Sequence, residues 1–320
     1  MKILVGPNHM GLENGIPEFE NTYPDVEFIH CAKPEDASTL IADADVYIGW
    51  LNRDVFLAAK NIKWIQSPSS GVDYYVSIPE LVESDVLLTS ASGTHAACVA
   101  ESAIAMILAF TRGIRDSILA QQHKEWAIGK VRPKMVELTN STMGIIGFGN
   151  IGREIAKRGS AFDMRIIAVD LYPGDKPDYV SDVWGFDRLD DLLRESDYLL
   201  IAVPRTPETR GMIGAGQIAL MKPTAMLVPM SRGGIVDEAA MAAALREGRL
   251  GAAAMDVFAT EPLPEDSELW EMENVLIAPH VSGGTQFEGQ HVLEIFGENI
   301  GRFVRGELPL RNQVDKSAGF

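Results

Sequence analysis

Cysteine is scarce in this 320-residue chain: Cys31 and Cys98 are the two, and they form neither a CxxC nor a zinc spacing. That excludes a disulfide scaffold and suits two reduced, buried thiols in a cytoplasmic compartment. Long apolar runs are missing as well. The longest apolar-rich stretch, residues 99–110, carries Glu101 and is too short to span a bilayer. The opening MKILVGPN reads as a first strand rather than a signal peptide, because it has no extended apolar core. Positive charge is in deficit, with 28 Lys and Arg against 45 Asp and Glu and a formal net charge of -17. Such a surface repels nucleic acid and anionic membranes, so neither is expected as a partner; solubility or a salt-rich habitat explains it. A small anionic substrate would need a locally basic pocket. Serine hydrolase chemistry has no GxSxG elbow to use. His9, His30, His95, His123 and His291 show no HxxxH, HExxH or Cys/His spacing, and no metal is assigned.

What is present is alternation. The length is too great for one simple core, so two domains are expected. Apolar runs at residues 2–5, 26–30, 46–49, 64–66 and 86–89 alternate with helical patterns at 34–42 and 54–59. That reads as an open parallel sheet. A long helix follows, with Ser92 or Thr94 able to cap it and apolar residues on nearly every face; it would lie between two domains. A second alternation has strands at 143–147, 165–169, 198–203, 225–228, 251–256 and 275–278. Its helices fall at 151–160, 189–195, 237–246 and near 214–220. Near-continuous Ile, Val, Leu and Ala content fits a parallel sheet covered on both faces. The tail places Val292, Ile295, Phe296 and Phe303 near helical spacing, so a packed terminal helix is expected. The fold class is α/β, two Rossmann-like doubly wound parallel-sheet domains with a cleft between them.

Gly147, Gly149 and Gly152 form G-x-G-x-x-G directly after an apolar strand and at the opening of a helix. Gly147 allows the tight turn, Gly149 lets a pyrophosphate approach the backbone, and Gly152 lets helix and strand pack closely. The N–H groups of Asn150 and Ile151 would face the phosphates at the helix N-terminus. Asp170 ends the next strand, where it would accept hydrogen bonds from the adenosine ribose and repel a 2′-phosphate. NAD is therefore the expected cofactor, with Arg205 as a flexible cation able to modulate that choice.

Arg232, Glu261 and His280 sit in MSRGGIVDE, DVFATEPLP and LIAPHVSGG, each reading as a loop at a strand end. Reduction of a 2-keto acid requires a hydride donor, a proton donor at the carbonyl oxygen and a cation for the carboxylate. Arg232 supplies a planar cation, His280 a proton carrier, and Glu261 a carboxylate that favours imidazolium and fixes its tautomer. Trp50, Leu51, Asn52 and Arg53, after a strand of the first domain, are candidates for substrate specificity.

The fingerprint, MKPTAMLVPMSRGGIVDE and AAMDVFATEPLPEDSELWEMENVLIAPHVSG closely resemble the signature segments of the D-isomer-specific 2-hydroxyacid dehydrogenases. The resemblance covers nearly all of the chain after about Trp64, with Pro68 and Pro229 departing from a common Leu and Asn. It implies catalytic roles for Arg232, Glu261 and His280. Asp256 would hold the nicotinamide amide, beside Met230, Ser231, Ser282 and Gly283, while Val203, Pro204 and Thr209 would line the cofactor groove. Ser69, Ser70 and Gly71, in IQSPSSGVD, would cradle the substrate carboxylate. It also implies a substrate domain of residues 1–94 plus 289–320, an NAD-binding domain of residues 95–288, and a homodimer. A non-catalytic NAD(H)-sensing protein of the same fold is the alternative. Formate oxidation is disfavoured, since it moves no hydroxyl proton.

Overall fold

A computed structural model describes residues 1–319. The chain divides into two compact units, Met1–His95 with the chain from Thr285 onward, and Ala96–Gly284. The breaks lie at 95 and 285, against 94 and 289 expected from the sequence.

The first unit holds β1 (Lys2–Val5), β2 (Glu27–His30), β3 (Val46–Ile48), β4 (Trp64–Gln66) and β5 (Leu87–Thr89). They form a parallel sheet in the order β2-β1-β3-β4-β5. Two-residue periodicity sends Leu4, Tyr47 and Ile65 into one core and Ile3, Val5, Val46, Ile48 and Trp64 into the other. The helix Glu288–Arg305 closes the second face with Val292, Phe296 and Ile300, one apolar stripe at helical spacing. Buried Asn299 pins this helix down. Its Oδ1 accepts the Arg311 N–H at 2.7 Å, and its Nδ2 donates to Gln66 Oε1 at 3.3 Å. Gln66 Nε2 in turn donates to Ser67 O at 2.8 Å, carrying the buried polar chain to the loop after β4.

Some local expectations differ from the structure. The helix expected over 34–42 is the single turn Ala37–Leu40 between two 3-10 turns, Pro34–Asp36 and Ile41–Asp43. Thr94 does not cap the long helix: its Oγ1 donates to Ala91 O at 2.8 Å, and the helix starts at Ala96. The helix Ile16–Thr22 was not expected because Phe19 is its one buried apolar residue, too little to show a period.

The second unit holds β6 (Thr142–Ile146), β7 (Arg165–Val169), β8 (Asp182–Trp184), β9 (Tyr198–Ile201), β10 (Met226–Pro229), β11 (Ala252–Met255) and β12 (Val275–Ile277). All seven are parallel, in the order β12-β11-β10-β9-β6-β7-β8. Met143, Ile145, Ile166, Ala168, Leu200 and Val228 enter one core; Ile146, Ile167, Val169, Leu199 and Leu227 enter the other. Each Val, Leu, Ile or Met among them, fully buried, contributes roughly 1.5–3 kcal/mol, so the doubly covered sheet is the main source of this unit's stability. The long helix Ala96–Thr111 joins the first of these cores through Val99, Ala103, Ile104 and Ile107. Glu101 and Ala105 are exposed, so its apolar surface is a broad stripe rather than all round. Among the described residues no single helix is long and apolar enough to cross a membrane. The bent pair Ala96–Thr111 and Ile114–Gln122 reaches that length together, but the first of the two is this core helix.

Strand order reverses between β9 and β6, and parallel strands put all seven carboxyl ends on one edge. Ligands of such sheets bind outside that edge, at the reversal.

Candidate active site

The three fingerprint glycines are required for different reasons. Gly147, after β6, has φ 94°, and a Cβ there would lie 2.9 Å from the Ala202 carbonyl. A Cβ on Gly152 would lie 2.1 Å from Gly147 O, so this helix packs against the strand only without a side chain. A Cβ on Gly149 would meet nothing within 4 Å. Two glycines thus serve the protein's own packing, while the third leaves backbone open to a group lying against it. The helix Asn150–Ser160 begins there with no side-chain cap from Gly149, and its first-turn N–H groups and dipole suit a pyrophosphate. Asp170, ending β7, is clamped onto this turn. Its Oδ2 accepts the Phe148 N–H at 2.6 Å and its Oδ1 the Tyr172 N–H at 2.9 Å. Val203 is buried and packs beneath Gly147, whereas Pro204 and Arg205 are exposed. Thr209 organises its own turn, donating to Pro204 O at 2.7 Å and accepting the Thr206 N–H at 2.8 Å.

On the other side of the reversal, β10 leads to Met230, Ser231 and Arg232, β11 to Asp256 and Glu261, and β12 to His280. These strands are neighbours, so their three loops share one stretch of edge. The first two loops touch: a Cβ on Gly233 would lie 1.8 Å from Phe258 O. His280 Nδ1 is 2.7 Å from Glu261 Oε2, and Glu261 Oε1 accepts the Phe258 N–H at 2.8 Å. The carboxylate therefore fixes the ring and orders its own loop. Nε2 of His280 has no partner among the described residues and is the atom left for proton exchange. His280 has φ 52°, a left-handed conformation that strains a residue with a side chain. Asp256 holds it there. This carboxylate is 3% exposed, and its two oxygens accept the N–H groups of Val281 at 2.9 Å and Ser282 at 3.1 Å. Asp256 is therefore first an anchor of the histidine turn; any contact with a nicotinamide amide uses its remaining lone pairs.

Arg232 Nη1 donates to Ser231 O at 2.8 Å. The hydroxyls of Ser231 and Ser282 are buried, and neither has a hydrogen-bond partner among the described residues. Buried hydroxyls are ordinarily satisfied. Two orphans in the loops that carry Arg232 and His280 fit an amide-bearing ring such as nicotinamide. Cys98 Sγ donates to Gly283 O at 3.2 Å, which ties the same turn to the long helix. No group of three His, Cys, Asp or Glu able to hold a metal occurs among the described residues.

Glu238 was missed by sequence reasoning. An acid in the first turn of Glu238–Arg246 reads simply as a partner for the helix dipole. Its Oε1 accepts the Ala259 N–H at 2.5 Å, so Glu238 and Glu261 grip adjacent peptides. Burial pushes the Glu238 carboxyl above the usual range, and the Glu261 charge adds to this. A raised carboxyl means that the charged form is the less stable one in the fold, so stability falls as pH rises through its titration. Glu238→Gln keeps the acceptor and removes the charge. Its melting temperature should exceed that of the wild type at neutral pH, with the gap closing toward acid; a constant gap would contradict this.

In the first unit, the loop after β4 carries Ser69, Ser70 and Gly71. Ser69 N–H already donates to Ser67 Oγ at 3.1 Å, and Ser69 O accepts the Ala91 N–H. The N–H groups of Ser70 and Gly71 have no partner among the described residues and are the ones able to take a carboxylate. Of the specificity candidates, Leu51 is buried, Asn52 caps the helix Arg53–Ala58, and Arg53 is ion-paired with Glu80. Trp50 stacks on His9 with ring centroids 5.1 Å apart.

Residues 104–282, more than half of the chain, match the model of the D-isomer specific 2-hydroxyacid dehydrogenase NAD binding domain. D-3-phosphoglycerate dehydrogenase of Methanocaldococcus jannaschii is 36% identical over 281 residues, which are 86% of this chain and 52% of that one. The chain thus spans about half the length of that relative. Glyoxylate reductase of Thermococcus litoralis is 32% identical over 318 residues, covering 95% of this chain and 94% of its own. Among solved structures, the NADPH-dependent glyoxylate/hydroxypyruvate reductase of Sinorhizobium meliloti, in complex with NADP and sulfate, superposes with a TM-score of 0.85. It shares 27% identity and is matched over the full length of both chains, 100% of each. Sheet order, fingerprint and the paired His280 and Glu261 agree with these likenesses, and the chain belongs to the D-isomer specific 2-hydroxyacid dehydrogenase family.

Proposed function

We propose that the protein is an NAD(H)-dependent D-2-hydroxyacid dehydrogenase that works mainly as a reductase of small 2-keto acids. The observation that carries this reading is the 2.7 Å contact of His280 Nδ1 with Glu261 Oε2, which leaves Nε2 open. Gly149, the first turn of Asn150–Ser160 and Asp170 hold the dinucleotide, and Ser231 and Ser282 supply hydroxyls to its nicotinamide end. When bound, the nicotinamide supplies the hydride. His280, as imidazolium, hands a proton from Nε2 to the carbonyl oxygen as negative charge develops there, and Glu261 stabilises the charged ring. Arg232 draws the carboxylate and polarises the carbonyl. A protein that merely sensed NAD(H) would have no use for an oriented proton carrier. The test is a turnover assay with NADH and glyoxylate or hydroxypyruvate. NADH consumption dependent on the acid supports the reading, and NADH binding without turnover of either acid rejects it.

NAD(H) should be preferred over NADP(H) by at least about tenfold in kcat/KM. A 2′-phosphate beside the clamped Asp170 sets two anions together, costing on the order of 1 kcal/mol or more even when partly solvated. The Sinorhizobium relative is NADPH-dependent by name, so the comparison is a sharp one. Equal efficiency with NADPH would reject the preference and point to exposed Arg205.

The expected homodimer is proposed through the second unit. Ile118, Trp126, Ile128 and Val136 are 52%, 92%, 61% and 53% exposed. Trp126 and Ile128 line a groove of about 780 Å³ together with Ala120, Val131 and Met135, beside Lys124, Glu125 and Arg132. Large exposed apolar side chains gathered in this way fit a second copy of this chain better than water. Light scattering at micromolar concentration should give twice the chain mass, and Trp126→Asp should shift it toward monomer. A wild-type monomer would reject this interface. With two free cysteines and an acidic surface, a cytoplasmic location is proposed.

A further inference from the structure

Arg153 follows the last fingerprint glycine, and no spacing rule gives it a role. It is exposed, on the helix Asn150–Ser160. A cation so near a helix N-terminus opposes the helix dipole, so the helix gains nothing from its charge. The side chain instead joins two other segments. Its guanidinium carbon lies 4.6 Å from the centroid of the Phe148 ring, and its Nη2 donates to Asp175 O at 3.0 Å. Phe148 is 4% exposed, in the core that Ile155 and Ala156 of the same helix enter, so its ring is a fixed platform. A planar, delocalised cation can stack on it and donate to a carbonyl at once.

These contacts close a circuit within the second unit. Phe148 N–H donates to Asp170 Oδ2, and Asp170 Oδ1 accepts the Tyr172 N–H. The chain runs on to Asp175, whose carbonyl returns through Arg153 to the Phe148 ring. The segment between is otherwise loosely held. Residues 171–176 are exposed. Lys176 Nζ donates to Val180 O at 2.7 Å and Val180 N–H to Pro177 O at 2.9 Å, both inside the segment. Among the described residues, the Arg153 contact is the one hydrogen bond that ties residues 171–179 to anything outside 170–180.

We propose that Arg153 is a positioning residue for the adenosine half of the dinucleotide, acting through the segment after β7 on the Asp170 carboxylate. This rests on the reading that Asp170 receives the adenosine ribose. A carboxylate has about four lone-pair sites; the two N–H groups take two and leave the others for ribose hydroxyls. With both N–H groups in place, the carboxylate is fixed at both oxygens. Without Arg153 the exposed segment loses its tie and opens locally, and Asp170 is held at Oδ2 alone. A ligand must then order the segment as it binds, which weakens binding. Arg153 lies with β6 and β7, across the strand reversal from Arg232, Glu261 and His280, so its effect belongs in cofactor affinity rather than in kcat.

The experiment measures binding of ADP-ribose, the cofactor without its nicotinamide, and of 2′-phospho-ADP-ribose. Calorimetry is run on wild type, Arg153→Ala, Arg153→Lys, Asp170→Ala and the double variant Arg153→Ala/Asp170→Ala. Hydrogen exchange of peptides within 171–180 and 142–146 is followed by mass spectrometry. Arg153→Ala should weaken ADP-ribose binding about tenfold, the scale of one charge-assisted hydrogen bond. Exchange within 171–180 should quicken while that of β6 stays unchanged. Arg153→Lys should recover part of the affinity, because an ammonium can donate to the carbonyl yet lacks the flat face. With Asp170→Ala already present, Arg153→Ala should weaken binding by less than about twofold further, since no carboxylate remains to orient. In turnover with glyoxylate, KM for NADH should rise in step with the ADP-ribose loss, and kcat should change by no more than about threefold. Should Arg153→Ala fail to fold, Arg153→Lys and its exchange carry the same test. Unchanged ADP-ribose affinity, a full loss that persists without Asp170, or a loss confined to 2′-phospho-ADP-ribose would overturn the proposal. A wild type that binds no ADP-ribose removes the ribose site at Asp170, and the role of Arg153 with it. A wild type that binds ADP-ribose but reduces no 2-keto acid rejects the reductase reading and leaves this one standing.

Discussion

Replacing His280 by alanine is expected to lower turnover by about two to four orders of magnitude while NADH still binds, because the carbonyl oxygen loses its proton donor. The dinucleotide elements, Gly149 and the Asp170 clamp, follow β6 and β7, across the strand reversal from the histidine turn, so cofactor affinity should survive. The pH dependence should follow the same logic. Reduction needs imidazolium and oxidation the neutral ring, so the reductive rate should fall with rising pH and the oxidative rate should rise. Glu261→Gln removes the negative charge 2.7 Å from Nδ1, so the ring loses the partner of its charged form and reduction at neutral pH should slow. Near wild-type reduction by His280→Ala, with an unchanged profile, would place the proton donor elsewhere.

Arg232→Ala should harm differently. The guanidinium is asked both to bind the carboxylate and to polarise the carbonyl, so KM should rise and kcat fall together. The combined loss in kcat/KM should be about two to four orders of magnitude. Arg232→Lys should recover only part of it, because an ammonium cannot reproduce the planar fork. A pure KM effect in Arg232→Ala would mean that the residue binds the ground state and transition state equally.

Much of this architecture is legible in the sequence because parallel strands covered on both faces leave a dense apolar signature. Met143, Ile145 and Ile146 belong to different cores, yet all are apolar, so the strand is readable without knowing which way each points. The fingerprint is legible for another reason: turn, open backbone and helix packing all fall within six consecutive residues, from Gly147 to Gly152. Arg232, Glu261 and His280 are separated in sequence, and β10, β11 and β12 being neighbours is what unites them.

What stayed hidden has no local period. The grip of Asp256 on the N–H groups of Val281 and Ser282 joins two loops across a sheet, and the positive φ of His280 depends on it. Glu238 resembles any helix-opening acid until its contact with the Ala259 N–H is seen. His95 meets Glu288 across 193 positions of chain, a pairing that no spacing rule contains. The contact of Ser69 N–H with the Ser67 hydroxyl, two residues earlier, was hidden in the same way. Short helices such as Ile16–Thr22 escape because one buried residue, Phe19, makes no pattern.

The most direct measurement of the central claim is product analysis after incubation of the protein with NADH and hydroxypyruvate or pyruvate at neutral pH. One 2-hydroxy acid should form for each NADH consumed, and it should be the D-enantiomer. Formation of the L-enantiomer, or tight NADH binding with no hydroxy acid formed from either substrate, would contradict it.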